Sequence, residues 1–182
     1  MNLLFRVATC YIPERLKKKE LRELFQATAA AFAKAIPSTE GLIFEECLLE
    51  FARFTKSIVD QAMNKSDDLK TIQDLLYQSA YEFGAKFRKR FKVSTPGDVM
   101  AAGKLLYRIL GIEFHGTEQG AVTITKCFFS QYYTPATCRV ISPLDAGMLA
   151  GLSAGKGMTF SERITEGSKC CQAQVLFKGQ LP

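Results

Sequence analysis

The sequence predicts an α+β fold: an N-terminal helical layer packed on a four-stranded antiparallel sheet that also carries two short helices. Apolar residues recur at helical spacing as far as Ile109, and from Ile112 onward they alternate, which is the period of a half-buried strand. Gly111 stands where the period changes. Two glycine-containing turns, Gly116 to Gly120 and Glu166-Gly167-Ser168, each lie between alternating runs and predict hairpin-like antiparallel pairing.

Taken in order, Glu20 to Ile36 reads as the first helix, with Leu21, Leu24, Phe25, Thr28, Ala29 and Phe32 on one face and Pro37 as its stop. Phe44, Cys47, Leu48, Phe51, Phe54, Ile58 and Met63 form the stripe of a second. Ser66-Asp67-Asp68 offers a cap for a third, whose stripe is Leu69, Ile72, Leu75, Leu76, Ala80, Phe83, Phe87 and Phe91. Thr95-Pro96-Gly97-Asp98 combines a cap, a first-position proline and a capping-box acid, and starts a fourth helix carrying Val99, Leu105, Leu106 and Ile109. Ile112 to His115 and Ala121 to Cys127 are expected strands. Thr134-Pro135 and Ser142-Pro143-Leu144-Asp145 start two short helices, the second stopping at Gly151. Met158 to Ile164 and Cys171 to Phe177 complete the sheet.

At 182 residues the chain is expected to be a single domain, 1–182, with a helical part over 1–110 and an α+β part over 111–182 that carries the candidate site. Hydrophobic residues make up 47%, outside the disordered regime. No apolar run approaches the roughly 20 residues that span a bilayer, so no membrane span is expected. Arg6 interrupts the first apolar run and the Lys17 to Lys19 cluster follows it, the wrong order for a secretory leader. A cytoplasmic location with reduced thiols is therefore expected for Cys10, Cys47, Cys127, Cys138, Cys170 and Cys171. The net charge of +6 includes Lys86, Arg88, Lys89, Arg90 and Lys92, which fall where cations complement a helix C-terminus. No nucleic-acid motif accompanies them, and no nucleic-acid partner is expected.

His115 is the single histidine, which rules out a multi-histidine metal centre. Cys10 and Cys47 sit on apolar faces and read as core fillers. Cys127 closes a strand, Cys138 lies at the start of a short helix, and Cys170-Cys171 opens the last strand. Strand ends and helix starts are where sites are built, although the thiols have no zinc-type spacing and buried structural thiols are the alternative. A metal or iron–sulfur centre on Cys127, Cys138 and Cys171 is left open. Asp145 likewise has two readings, a site carboxylate or the third residue of a capping box begun by Ser142.

The string Thr123-Ile124-Thr125-Lys126-Cys127, Cys138, Asp145 and the segment Phe160 to Phe177 resembles the C-terminal motif of the L-2-amino-thiazoline-4-carboxylic acid hydrolase family, over roughly residues 105 to 178. That motif runs from a strand ending in Cys, through a second Cys and a helical Asp, to an arginine strand and a Gly-acidic-x-Cys-Cys turn. The chain departs from it at Phe128, where the family has Pro, at Ser168 and Lys169 after the turn glycine, and at Gln172 after the cysteine pair. The hairpin more distantly resembles the 4-vinyl-reductase small-molecule-binding domains. The resemblance implies a hydrolase-like protein acting on a cyclic amidine or thiazoline-type substrate. Cys127 would be nucleophile and Asp145 general acid/base, with Cys138, Arg163, Cys171 and His115 toward the substrate and Arg163 holding its carboxylate. The alternative is a non-catalytic small-molecule-binding or sensory module. The expected partner is a small molecule, no cofactor is expected, and a homodimer is left open.

Overall fold

In the computed structural model, residues 12–65 and 68–177 are described; Cys10 and the Ser66-Asp67 part of the expected cap lie outside them. Among the described residues, six α-helices, four strands and two short 3-10 helices follow one another as α1 (Glu14–Ala31), α2 (Phe44–Lys65), α3 (Leu69–Phe91), α4 (Pro96–Ile109), β1 (Ile112–Gly116), β2 (Ala121–Cys127), a 3-10 helix (Phe128–Gln131), α5 (Pro135–Ile141), α6 (Pro143–Ser153), β3 (Gly157–Glu162), a 3-10 helix (Ile164–Glu166) and β4 (Cys171–Leu176). The α+β architecture expected from the change of period is present.

The strands form one antiparallel sheet in the order β1-β2-β4-β3. Alternation divides the sheet into two unlike faces. Ile112, Phe114, Val122, Ile124, Ala173 and Val175 are buried under the helices. Glu113, His115, Thr125 and Gln174 belong to the opposite, polar face. There Thr125 donates to Glu113 at 3.0 Å, and Thr123 donates to Gln172 at 3.1 Å.

The caps behave as the sequence suggests at α3 and α4, and at α5, where Thr134 accepts from the Thr137 N–H. Asp68 accepts from the backbone N–H groups of Lys70 and Thr71, and Thr95 and Asp98 close a reciprocal capping box. The basic cluster ends α3, with Arg88, Lys89 and Arg90 in its last turn. Three details differ. The first helix runs from Glu14 to Ala31 rather than from Glu20 to Ile36, ending before a left-handed Ala33 and not at Pro37, and its earlier start puts Lys17 over the Phe44 ring and lets Lys18 donate to the Leu42 carbonyl at 2.7 Å. Met63 and Leu75, read as core, are 42% and 47% exposed because the stripes of α2 and α3 drift away from the layer at those turns.

The third difference shapes the site. Gly151 does not stop α6, which continues to Ser153 and ends at Ala154 in a left-handed conformation, φ 52°. Gly151 instead lets α6 press against α3: a Cβ there would lie 2.2 Å from the Tyr81 carbonyl oxygen, and one at Gly147 would lie 2.2 Å from that of Tyr77. Helix axes this close need glycine at the contact, and the closeness fixes the rotation of α6, hence the direction in which Asp145 points.

Candidate functional site

Four residues from separate elements meet in the space between sheet and helices. Cys127 ends β2 and leads into the 3-10 helix Phe128–Gln131, where Ser130 donates to the Cys127 carbonyl at 2.7 Å. Cys138 rides on α5, which Thr134 caps by accepting from the Thr137 N–H and which Pro135 starts. Asp145 comes from the first turn of α6, and Cys171 from the first residue of β4. Their side chains line one cavity of about 100 Å³, together with Tyr107, Phe129, Tyr133, Phe160 and a surround of Leu, Ile and Phe. At roughly 30 Å³ per water, that space holds about three waters or one compact organic molecule.

Asp145 is the single charged residue on the wall among the described residues. It keeps some accessible surface as cavity wall but is deeply enclosed by protein, and that desolvation raises its carboxyl from 3.8 to about 6. The hydrogen bond from Tyr107 and the charge of Arg163 pull the other way. Tyr107 is fully buried, its ring stacked on Phe114 at 4.8 Å, and its hydroxyl donates to Asp145 Oδ1 at 2.6 Å. The capping-box reading of Asp145 is not what the structure contains. Ser142 is helical, makes no side-chain cap, and spends its hydroxyl on the Cys138 carbonyl at 2.8 Å. The reason is that α5 runs almost directly into α6, leaving no extended residue at the junction from which a cap could reach.

Burial holds the thiols protonated. Cys127 is pushed up to about 12, and Cys138 and Cys171 also rise, with desolvation first and the Asp145 charge adding to it. All five described cysteines are free. Cys47 fills the α1–α2 contact, its thiol toward the Leu42 carbonyl at 3.8 Å. Among the described residues, no three His, Cys, Asp or Glu side chains gather closely enough to hold a metal ion.

Two expected site residues lie elsewhere. His115 is on the polar face of the sheet, paired with Thr123, in a surface groove with Lys104 and Glu118. The alternation that buries Phe114 turns its neighbour outward. Arg163 is not a wall residue. Its guanidinium sits 4.8 Å over the ring of Phe160, which is one, donates to Ser142 at 3.2 Å, and stands 3.8 Å from Glu166. Glu166 is already engaged by Arg139 at 2.8 Å.

Tyr107 and Tyr133 escaped the sequence reading. The available signal was tyrosine in an otherwise apolar surround, since a buried phenol brings a polar group that needs a partner. Tyr133 stacks on Phe129 at 5.3 Å, and its hydroxyl is buried without a hydrogen-bond partner. No helix of the described residues is long and apolar enough to cross a membrane. Comparison of the chain with protein-family models, with characterised proteins and with solved structures gave no match.

Proposed function

We propose that the chain is a small-molecule-binding protein whose cavity seats a compact, largely apolar molecule with one cationic or hydrogen-bond-donating head on Asp145. The observation that carries this reading is the convergence of Cys127, Cys138, Asp145 and Cys171 on one apolar cavity in which Asp145 is the single charge among the described residues. Tyr107 occupies Oδ1 of the carboxylate, and the described residues supply no hydrogen-bond partner to Oδ2. In low dielectric a free carboxylate oxygen strongly favours a cation or a good donor. A cyclic amidine offers both in a small planar frame.

Binding without turnover is favoured over nucleophilic catalysis by the state of the thiols. A thiolate is stabilised by a cation, a histidine or a helix N-terminus. Cys127 does stand at the start of the 3-10 helix, where the backbone N–H groups of Ser130 and Phe129 favour its thiolate, but burial outweighs them, the Asp145 charge adds to it, and the proton stays on. The second reading, hydrolysis of a thiazoline-type cyclic amidine, is favoured by one observation: Asp145 titrates near 6, close enough to neutrality to give and take a proton. In that case the arriving amidinium would have to offset the carboxylate charge before Cys127 could ionise and attack.

Calorimetry with 2-aminothiazoline, at pH 7.5, tests the reading. Saturable one-to-one binding that is abolished in Asp145→Asn supports it. Unchanged binding by Asp145→Asn, or none by the unmodified protein, counts against it. Following the thiazoline ultraviolet absorbance in the same samples separates the two readings, because ring opening consumes the chromophore and binding does not.

A further inference from the structure

The cavity is small for a ligand site. Small-molecule pockets usually enclose roughly 300–1,000 Å³, whereas this one, at about 100 Å³, is full once a compact ring has entered. Part of its wall is shared with a second space. Leu24, Ala80 and Phe83 line the cavity and also a surface cleft of about 380 Å³ between α1 and α3. On α3 the cleft is lined by Ser79, Glu82, Phe83 and Lys86, whose spacing of three and four residues puts them on one helix face. On α1, Glu23, Gln26 and Ala27 share a face in the same way.

The helices themselves account for the cleft. On one side α3 meets α6 through Gly84, Gly147 and Gly151, which bring the two backbones together. On its other side it meets α1, which contains no glycine, so side chains hold these two helices apart. The three shared residues mark where the cavity and the cleft adjoin. Leu24 and Phe83 come from different helices and are only partly buried, although both pack on the core. Ala80 has no side chain beyond its Cβ, and a Cβ on Gly147, next but one to Asp145, would lie 3.1 Å from it. The junction is thus beside the turn of α6 that carries the cavity's charge. Beyond it the cleft has an apolar floor of Leu24, Ala27, Ala80 and Phe83 under a polar rim. A hydrocarbon chain laid on that floor leaves water, while the rim keeps its polar ends solvated.

We propose that the cleft between α1 and α3 is the outer half of the binding site, and that the ligand is an elongated amphiphile. Its cationic or donating head meets Asp145, and an aliphatic chain leaves the cavity over Ala80, between Leu24 and Phe83, to lie along the cleft. This rests on the small-molecule reading above and extends it, since the compact group in the cavity becomes the head of a longer molecule.

A chain-length series tests it, measured by calorimetry at pH 7.5: 2-aminothiazoline, its 4-butyl and its 4-hexyl derivatives. Each methylene that passes from water to the cleft floor should tighten binding about threefold to fourfold. The hexyl compound should therefore bind at least ~10-fold more tightly than the parent ring. Ser79→Trp and Ala27→Trp fill the cleft from its two helices, and neither residue lines the cavity. Each should erase the gain of the hexyl chain and leave the parent ring's affinity unchanged, which also reports that the variant is folded. Lys104→Trp, in the groove beside His115, should leave the whole series unchanged. A hexyl compound that binds no more tightly than the parent ring overturns the role of the cleft while the small-molecule reading stands. So does a gain that survives in both Ser79→Trp and Ala27→Trp. Binding of none of the three compounds overturns this proposal together with the reading beneath it.

Discussion

The hydroxyl of Tyr107, on α4, donates at 2.6 Å to Oδ1 of Asp145, on α6, across a separation of 38 residues in sequence. This contact ties the helix that precedes the sheet to the helix that carries the charge of the cavity. It also explains how a carboxylate persists in an apolar space, since a hydrogen bond to the charged form offsets part of its desolvation.

Tyr107→Phe should therefore act on Asp145 rather than on packing. The ring and its stacking on Phe114 remain, while a buried carboxylate loses its donor. Stability at pH 7.5 should fall by about 1.5–3 kcal/mol, the worth of a hydrogen bond to a charged group. The loss should shrink near pH 4, where Asp145 is protonated. Urea denaturation at both pH values measures it, and an equal loss at the two would mean that the hydroxyl serves packing alone.

The close approach of α3 and α6 gives a second outcome. Gly147→Ala and Gly151→Ala each place a methyl group 2.2 Å from a backbone carbonyl oxygen of α3, which no rotamer can relieve. Each should destabilise the fold by roughly 2–4 kcal/mol, at the upper end of overpacking effects. Gly41→Ala is the control. Its φ of 79° carries strain, but nothing lies within 4 Å of the added carbon, so it should cost only about 1 kcal/mol.

The residues that generate this close contact also mark the limit of what the sequence discloses. Hydrophobic period located the helices and strands, because burial on one face leaves a local trace at 3.6 or 2 residues. The Thr95 and Asp98 box was legible for the same reason: all of its atoms lie within one turn. Gly151 was misread as a stop because a glycine needed for a neighbour's backbone looks the same as one needed for a left-handed turn. Cys127, Cys138 and Cys171 stood out by their places at element ends and Asp145 through the family resemblance, but Tyr107 did not, since its partner is set by tertiary packing. His115 drew notice as the single histidine, while the alternation of β1, already readable, assigns it to the polar face.

The thiols provide a third outcome, and it bears directly on catalysis. With Cys127 raised to about 12, on the order of one molecule in ten thousand or fewer carries its thiolate at pH 7.5, against a few per cent for an exposed cysteine. Iodoacetamide should label Cys127 no faster than the buried Cys47, and both should accelerate at least ~100-fold in urea. Peptide mass spectrometry of a time course resolves the sites. Selective labelling of Cys127 in the folded protein would revive the nucleophile reading.

Asp145→Asn carries the last test, because its sign depends on pH. A carboxyl whose folded pKa lies above its unfolded value binds its proton more tightly when folded. Its favourable contribution is thus complete below about pH 3.8 and is lost as the pH rises through about 6. The raised value corresponds to about 3 kcal/mol that the fold gives up at neutral pH to keep an ionised carboxylate in the cavity. Asparagine keeps an oxygen for the Tyr107 hydroxyl and removes the charge. At pH 7.5 the variant should be more stable than the unmodified chain by about 1–3 kcal/mol, and the gain should fade toward zero at pH 4. Thermal or urea unfolding across that range reads it. A variant less stable at pH 7.5 would make Asp145 a structural group. A gain at neutral pH, coupled to loss of 2-aminothiazoline binding, is what a carboxylate retained for a ligand at the expense of the fold should give.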